Sequence, residues 1–348
     1  MLIVMQRQTT EAARDDVREW VEARGLRTRS FSVGRETVVA CSPPDIEVDR
    51  RALQRLPGVA RIESSPHPLV ARASGPRGSV ALGDGVVAGG TELIVAAGPC
   101  SVETASGLRD AAWAVRSSGA QLLRGGAFKP RTSPYSFQGL GVDGLRLLAE
   151  VRAETGLPVV TEVTDPRLVE TVAEHADILQ VGARSMQNVP LLRELGLIQR
   201  PILLKRGLSA SVTEFLLAAE YVMVGGNSNV ILCERGIRTF ETTTRFTLDL
   251  AAVPVLQREA HLPVFVDPSH SAGTRDLVEP LAYAAVAAGA DGLLVEVHTA
   301  PETAWSDSDQ ALDPLAFDRM MRGLAGFAAA AGRHLPLPEP TLRREVVG

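Results

Sequence analysis

The chain is poor in cysteine, has no long hydrophobic run and contains no basic tract. Three cysteines in 348 residues, all far apart, exclude a disulfide-stabilised scaffold and are typical of a reducing cytoplasm. No apolar segment reaches the length of a membrane-spanning helix or of a signal peptide. Asp and Glu outnumber Lys and Arg, 41 to 36, which argues against nucleic acid as a partner. We therefore expect a cytoplasmic protein with no membrane or nucleic-acid partner.

Residues 1–72 have the pattern of a small two-layer domain. Short apolar strands alternate with two helices, and the first helix places Val17 and Val21 on one face. The order βαββαβ predicts a ferredoxin-like fold. We expect a regulatory or assembly role for this domain, by analogy alone, against the alternative that it has no function of its own. Residues 73–91, rich in glycine and alanine, predict a linker or a loosely ordered hairpin.

Residues 92–335 alternate between strands and helices eight times. Each predicted strand is a short apolar run, as expected for parallel strands that are covered on both faces. Eight such units predict a (β/α)8 TIM barrel of the α/β class, followed by a tail at 336–348. The alternative, a doubly wound sheet, needs a glycine-rich turn after the first strand, and Gly98-Pro99-Cys100 is not one. The strands are predicted at 93–100, 120–126, 158–164, 177–183, 201–207, 229–236, 263–270 and 292–298.

Metal-ligating side chains are predicted to meet at the C-terminal mouth of the barrel, where TIM-barrel chemistry takes place. Cys100, His270 and Glu296 end strands 1, 7 and 8, which barrel closure makes neighbours. Asp307, in the loop after strand 8, lies within reach of them. This mixture of soft and hard ligands favours one divalent ion of the Mn, Fe, Co or Zn class over Mg or Ca. Taken singly, each residue has a more ordinary interpretation as an apolar filler, a hydrogen-bonded histidine or a surface acid.

Strand periodicity supports the same grouping, because alternate residues of a strand share a face. It places Cys100 and Glu296 on matching faces of strands 1 and 8. On the same argument we expect His270 to continue the face of Val264 and Val266. The side chains are therefore expected to point to one spot.

Six cations form a second group on the other side of the mouth. Cations at the ends of buried strands are costly to desolvate unless an anion arrives. Their convergence in a chain of net charge −5 predicts substrates with several negative charges, such as phosphates and a carboxylate. Lys129 or Lys205 is alternatively a Schiff-base nucleophile, which is the weaker interpretation beside a metal cluster. The six are Arg124, Lys129, Arg131, Arg184, Lys205 and Arg235.

Seven segments of the chain carry long and specific motifs. They are AAGPCSVE (96–103), LRGGAFKPRTSPYSFQG (123–139), QVGARSMQN (180–188), LLKRG (203–207), ILCERGIRTFE (231–241), VDPSH (266–270) and GLLVEVH (292–298). Together they resemble the type I 3-deoxy-D-arabino-heptulosonate 7-phosphate synthases, in the subgroup with a ferredoxin-like N-terminal domain. The barrel of this subgroup is similar to that of the 3-deoxy-D-manno-octulosonate 8-phosphate synthases. The resemblance covers nearly the whole chain.

The resemblance implies a reaction and a set of site residues. Phosphoenolpyruvate and erythrose 4-phosphate condense with water and release phosphate, in the first step toward chorismate and the aromatic amino acids. The implied catalytic residues are Lys129, Cys100 and His270, with Lys129 as the candidate for proton transfer. The implied metal ligands are Cys100, His270, Glu296 and Asp307. The implied pocket residues are Arg124, Lys129, Ala183, Arg184, Lys205 and Arg235 for phosphoenolpyruvate, and Arg131, Thr132 and Ser271 for the aldose phosphate.

The substrate and the partners are expectations from the same resemblance. Pro130 with Arg131-Thr132 favours the four-carbon aldose, because octulosonate synthases carry Asn and a further Ser there and use arabinose 5-phosphate. That synthase and a non-catalytic regulatory paralogue that binds aromatic amino acids are the alternatives. We expect an aromatic amino acid as feedback ligand on the small domain and a homo-oligomer, with a tetramer favoured. Ser-Asp-Ser-Asp (306–309) departs from the Ser-Asp-Gly-Pro of the family, which makes Asp309 a rival of Asp307.

Overall fold

The computed structural model describes residues 1–33, 36–42, 46–63, 67, 69–71 and 77–338. Residue 72, where the small domain is predicted to end, and residues 339–348 of the predicted tail lie outside the described residues. Within the described ranges the chain forms a small sheet domain, a two-stranded hairpin and a closed eight-stranded barrel. No helix in those ranges is long and apolar enough to cross a membrane.

The small domain is a four-stranded antiparallel sheet with two helices. Thr10 begins the first helix by accepting a hydrogen bond from the backbone N–H of Ala13. Ile3, Val17 and Leu53 lie in a hydrophobic core separate from that of the barrel. The strand order β2-β3-β1-β4 confirms the expected βαββαβ arrangement. The elements are β1 (Leu2–Met5), α1 (Glu11–Glu22), β2 (Arg27–Val33), β3 (Glu36–Ser42), α2 (Arg50–Gln54) and β4 (Val59–Glu63).

A hairpin closes the N-terminal end of the barrel. Its strands, β5 (Val80–Gly83) and β6 (Val86–Ala88), pair antiparallel. Leu82 is 1% exposed and packs in one buried cluster with Ile94 and the other residues that point into the barrel. A hairpin was one of the two structures expected in residues 73–91. It is tightly packed rather than loosely ordered, because its apolar side chains fill the floor of the barrel.

Eight parallel strands form the barrel. Each strand pairs with the next along the chain, and the last pairs with the first, with Glu296 opposite Gly98. This closure confirms that predicted strands 1 and 8 are neighbours. The strands are β7 (Ile94–Gly98), β8 (Leu122–Arg124), β9 (Val159–Glu162), β10 (Ile178–Val181), β11 (Ile202–Lys205), β12 (Val230–Glu234), β13 (Val264–Val266) and β14 (Gly292–Glu296).

Helices follow the strands and cover the outside of the ring. The helix after β11 illustrates how the sequence specifies them: Ser211 and Glu214 form a capping box, and Phe215 and Val222 are buried against the sheet. The helices are α3 (Ala105–Ser117), α4 (Val142–Thr155), α5 (Val169–His175), α6 (Val189–Leu197), α7 (Val212–Val224), α8 (Ala252–Glu259), α9 (Pro268–Ala272), α10 (Val278–Ala287) and α11 (Pro314–Ala330).

Strand β13 ends earlier than the sequence pattern predicts. It stops at Val266, and Asp267 caps the short helix α9 by accepting a hydrogen bond from the His270 N–H at 2.9 Å. The proline of the Asp-Pro-Ser-His run favours this change, since proline suits the first turn of a helix and cannot donate to a sheet. Val264 and Val266 pack outward against the helices. The expectation that His270 continues their face is therefore wrong, and His270 reaches the mouth from a helical turn.

Candidate active site

The four predicted metal ligands converge at the C-terminal mouth of the barrel. Cys100 follows β7, Glu296 ends β14, His270 lies on α9, and Asp307 lies in the loop after β14. One ligand atom from each residue lies within 4.8 Å of the other three. A thiol sulfur, an imidazole nitrogen and two carboxylate oxygens at this spacing form a donor set suited to a metal ion. Asp309, the rival in the same loop, is exposed and does not belong to the cluster.

Direct contacts connect the members of the cluster. Cys100 Sγ lies 3.0 Å from Asp307 Oδ2, and Lys129 Nζ donates to Cys100 Sγ at 2.9 Å. The Lys129 ammonium also donates to the Cys100 carbonyl oxygen at 3.1 Å. His270 Nε2 lies 3.4 Å from Glu296 Oε1. Lys129 therefore lies directly against the cluster. It also lines the cavity that opens beside the cluster.

Burial and neighbouring charges set the protonation of the cluster. Burial raises the pKa of the Cys100 thiol to about 12, and Glu296 adds to this shift while Lys129 opposes it. Burial lowers the pKa of His270, so the imidazole is neutral near pH 7. Burial alone would raise the pKa of Asp307, but His270 and the hydrogen bond from Cys100 hold that pKa well below its usual range. The thiol is therefore the group that must lose a proton when a metal binds.

Asp267 belongs to the site although the sequence pattern gave it no role. It is fully buried, and its Oδ2 accepts a hydrogen bond from Lys205 Nζ at 2.5 Å and lies 2.8 Å from His270 Nδ1. Burial would raise the pKa of Asp267, but His270 and Lys205 hold it well below the usual value. This contact places the carboxylate behind the imidazole, whose Nε2 faces Glu296. Its inward position, two residues after Phe265, was the available sequence signal.

Both carboxylate ligands are held by further side chains. Glu296 Oε1 accepts a hydrogen bond from Arg124 at 2.9 Å, and Oε2 accepts one from Gln310 at 2.5 Å. Asp307 Oδ1 accepts a hydrogen bond from Arg245 Nη1 at 3.0 Å. Gln310 and Arg245 lie in irregular loops, where neither strand nor helix periodicity could single them out. Arg124 is 4% exposed and contacts the cluster from inside the barrel. It does not line the cavity that opens beside the cluster.

A cavity of about 290 Å³ opens beside the cluster. Its lining includes most of the residues predicted to bind substrate, so the structure brings the cations to one place. Ser271, predicted to contact the aldose phosphate, is not on the wall: its hydroxyl donates to the carbonyl oxygens of Asp267 and Pro268. The predicted residues on the wall are Lys129, Arg131, Thr132, Ala183, Arg184, Lys205 and Arg235.

Glu162, at the end of β9, also faces this cavity. Its Oε2 accepts a hydrogen bond from Gln180 Nε2 at 3.1 Å, whereas Oε1 is buried without a partner among the described residues. A side chain at Gly182 would come within 2.0 Å of that oxygen, so Glu162 would have to move to admit one. A carboxylate oxygen of this kind, surrounded by cations, is an acceptor open to a bound molecule.

The fold and the mouth together define an α/β-barrel enzyme that handles anionic substrates next to a metal-binding cluster. Comparison with known proteins narrows the class. The sequence profile described as the DAHP synthetase I family matches residues 69–326, and the chain belongs to that family. The resemblance carried by the seven sequence motifs is thereby confirmed.

Individual relatives agree with this assignment. The chain is 45% identical over 339 residues to the phospho-2-dehydro-3-deoxyheptonate aldolase of Thermotoga maritima, covering 95% of this chain and 99% of the relative. The crystal structure of that aldolase superposes with a TM-score of 0.77 at 43% identity, covering 96% and 99% of the two chains. A 2-dehydro-3-deoxyphosphooctonate aldolase of Rhodopseudomonas palustris is 32% identical over 276 residues, covering 74% of this chain and 96% of that one.

Proposed function

We propose that this protein joins phosphoenolpyruvate to erythrose 4-phosphate with addition of water and release of phosphate. The product is 3-deoxy-D-arabino-heptulosonate 7-phosphate, and the reaction is the first step toward chorismate and the aromatic amino acids. The observation that carries the proposal is the cluster of Cys100, His270, Glu296 and Asp307 beside a cavity lined by cations. The similarity to a named heptonate aldolase over 95% of the chain supports it.

The four-carbon aldose is favoured over arabinose 5-phosphate on two grounds. Identity to the heptonate aldolase is 45%, against 32% to the octonate aldolase, and the first match covers 95% of this chain, against 74% for the second. Pro130, Arg131 and Thr132, the residues on which the sequence favours the four-carbon aldose, lie on the cavity wall. We assign Arg131 and Thr132 to the aldose phosphate.

The remaining cations of the wall suit phosphoenolpyruvate, which carries a phosphate and a carboxylate. We assign Arg184, Lys205 and Arg235 to these charges, with Ala183 beside them and Arg124 beneath. Arg235 is preorganised, since its guanidinium lies 4.2 Å from the centre of the Phe246 ring. Fixed cations of this kind balance the negative charge of the phosphate and the carboxylate while water adds at C2. The free Oε1 of Glu162 is our candidate acceptor for the proton of that water.

We propose one divalent ion of the Mn, Fe, Co or Zn class as cofactor. The donor set fits such an ion, because it combines a soft sulfur with an imidazole and hard oxygens in a buried cluster. When bound, the ion supplies a Lewis acid for the aldehyde carbonyl. The chain contributes the orientation: Asp267 holds the His270 ring, and Arg124 holds Glu296.

Lys129 is the candidate proton donor to the nascent alkoxide. Burial lowers the pKa of Lys129, but the neighbouring Cys100 and Glu296 outweigh burial, and the pKa stands above its ordinary value. The side chain is therefore an ammonium at neutral pH, located between the cluster and the cavity. A Schiff-base nucleophile must be a neutral amine, so the charge of Lys129 argues against that role for it. Lys205 is disfavoured for the same role because its amino group is bound to the Asp267 carboxylate.

A phosphate-release assay with two aldoses tests the proposal. We expect phosphate release to need phosphoenolpyruvate, erythrose 4-phosphate and a divalent metal, to stop with EDTA, and to return on metal addition. A far better rate with arabinose 5-phosphate would establish the octulosonate alternative. Borohydride trapping of an adduct on a lysine, with no effect of EDTA, would establish a lysine-dependent aldolase. Absence of turnover by the metal-loaded chain would favour the remaining alternative, a non-catalytic regulatory paralogue.

Cys100→Ala tests the metal assignment separately. We expect this variant to lose metal and activity together, because no other soft ligand replaces the thiol. Metal content after gel filtration and phosphate release are the measurements. Cys233→Ala is the matched control: it also removes a buried thiol that points into the barrel, yet lies outside the cluster, so it should keep its metal. An active, metal-loaded Cys100→Ala would contradict the ligand set.

We further propose that the small domain binds an aromatic amino acid as feedback ligand and that the chain works as a homotetramer in the cytoplasm. The domain's own hydrophobic core supports a separate binding unit. Inhibition of phosphate release by phenylalanine, tyrosine or tryptophan, with the mass determined by light scattering, tests both points. Insensitivity to all three amino acids would contradict the feedback role.

A further inference from the structure

The side chain of Gln310 is buried between a metal ligand and an arginine. It is 1% exposed; its Nε2 donates to Glu296 Oε2 at 2.5 Å, and its Oε1 accepts from Arg245 Nη1 at 2.8 Å. Because one end of the amide donates and the other accepts, its orientation is fixed by both neighbours. Glu296 in turn has its second oxygen held by Arg124. Gln310 and Arg124 therefore hold the two oxygens of the Glu296 carboxylate.

The same arginine holds the second carboxylate ligand. Arg245 Nη1 donates to Asp307 Oδ1 at 3.0 Å as well as to Gln310. Asp307 has a φ of +53°, a left-handed conformation that side chains other than glycine rarely adopt. The Arg245 contact thus fixes a carboxylate on a loop whose backbone conformation is unfavourable.

We infer that Gln310 is a positioning residue of the metal centre, oriented by Arg245. The two side chains form a connected pair: Arg245 orders Asp307 and the Gln310 amide, and that amide orders Glu296. Residues behind the ligands of a metal site set ligand direction and so metal affinity. This inference rests on the ligand set given under the proposed function.

Charge-conserving variants are needed to test the pair. Removing a cation beside a divalent ion would strengthen metal binding by itself and obscure the loss of orientation. Gln310→Met keeps the volume and removes both hydrogen bonds. Arg245→Lys keeps the charge and removes the planar guanidinium. Arg275→Lys is the matched control, because Arg275 touches the same loop through the Ser308 carbonyl oxygen and no ligand side chain.

The full-length metal-free protein is titrated with Co²⁺, and the cobalt–thiolate absorption of Cys100 reports binding. We expect Gln310→Met to weaken Co²⁺ binding by about 10- to 100-fold. Arg245→Lys should weaken it less but in the same direction, and Arg275→Lys should match the wild type. Thermal unfolding in EDTA should be similar in Arg245→Lys and Arg275→Lys, because both side chains are partly exposed and neither substitution disturbs the buried core.

The outcomes separate this inference from the proposed function. If the wild type shows no cobalt–thiolate band, the ligand set itself is wrong. If the wild type binds Co²⁺ and both Gln310→Met and Arg245→Lys bind it as tightly as Arg275→Lys, the ligand set stands and the positioning role is overturned. If Gln310→Met does not fold, Arg245→Lys alone decides, since it is the more exposed member of the pair.

Discussion

Asp267 shows how much of the site depends on residues behind the ligands. Its carboxylate lies between His270 Nδ1 and Lys205 Nζ, and so links the metal cluster to the anion pocket. We expect Asp267→Asn to lower metal affinity by about 10- to 100-fold, because the amide neither orients the imidazole as well nor balances the lysine. It should also raise the KM for phosphoenolpyruvate. Metal titration and phosphate-release kinetics measure the two effects.

Asp165→Asn is the control for this change. Asp165 also lies at the barrel mouth, after β9, but caps a short helical turn and pairs with the exposed Arg167. Its substitution should leave metal affinity and KM unchanged. Unchanged metal affinity in Asp267→Asn would show that His270 is oriented by the helical turn alone.

The positions of the four clustered residues and of the cavity cations could be predicted at the scale of single residues, and those of the supporting residues could not. Cys100 and Glu296 end strands whose alternation is readable, so their inward direction follows from the sequence. Gln310 and Arg245 lie in loops 65 residues apart in the chain, and only the folded barrel brings them to hydrogen-bonding distance. Sequence periodicity contains no information about such loop-to-loop contacts.

Helices and strands could be predicted where a local sequence pattern determines the structure. Their ends were predicted wrongly where a single residue interrupts that pattern. The eight strands and the capped helices follow from apolar runs and turn residues. The apolar run of β13 predicts a strand through residue 270, but the Asp-Pro pair begins α9 after Val266. The hairpin before β7 was ambiguous, because glycine-rich segments show no strong alternation. The hairpin is buried because it packs against the N-terminal end of the barrel, and its own sequence does not indicate this contact.

Asp291 joins the elements at the N-terminal end of the barrel. It is fully buried, and it pairs with Arg77, before the hairpin, and with Arg333, after α11. Its Oδ2 also accepts a hydrogen bond from the backbone N–H of Val264 at 2.7 Å. We expect Asp291→Ala to destabilise the fold by about 3–5 kcal/mol, because two cations lose their partner in a buried position. The free energy of unfolding in urea measures this loss.

The activity of folded Asp291→Ala should be unchanged, since the residue lies at the end of the barrel opposite the site. The exposed pair of Arg109 and Glu154 provides the comparison. Glu154→Ala removes a salt bridge of similar length and should cost far less stability than Asp291→Ala, because water screens the charges. Equal losses of unfolding free energy in the two variants would show that Asp291 stabilises the barrel no more than an exposed salt bridge does.

Across the whole molecule, charge is distributed unevenly. The chain has a net charge of −5, yet the cavity wall carries five of the six cations predicted for substrate binding. Local concentration of positive charge in an acidic protein attracts anions to one mouth and away from the remaining surface. This arrangement could be inferred from the sequence, because it depends on strand ends. The position of the small domain could not, because it depends on contacts between segments far apart in the chain.

Glu220 of α7 contributes one such contact, with the segment that leads from the small domain to the barrel. Its carboxylate accepts hydrogen bonds from the N–H groups of Leu69, at 3.1 Å, and Val70, at 3.0 Å. Burial raises the pKa of Glu220 to about 7, although these hydrogen bonds oppose the shift. The native state therefore holds this proton more tightly than the unfolded chain does. The contribution of Glu220 to the free energy of unfolding is complete below pH 4.5, the ordinary pKa of the group. It is lost as the pH rises through about 7.

Glu220→Gln should remove this part of the pH dependence, because the amide keeps an acceptor oxygen and does not titrate. We expect the free energy of unfolding of the wild type to fall between pH 5 and pH 8 by about 3 kcal/mol more than that of the variant. Urea unfolding at both pH values gives the difference, and the exposed Glu194→Gln serves as the control. An identical pH slope in the wild type and in Glu220→Gln would mean that the carboxylate stays ionised on Leu69 and Val70, with hydrogen bonding outweighing burial.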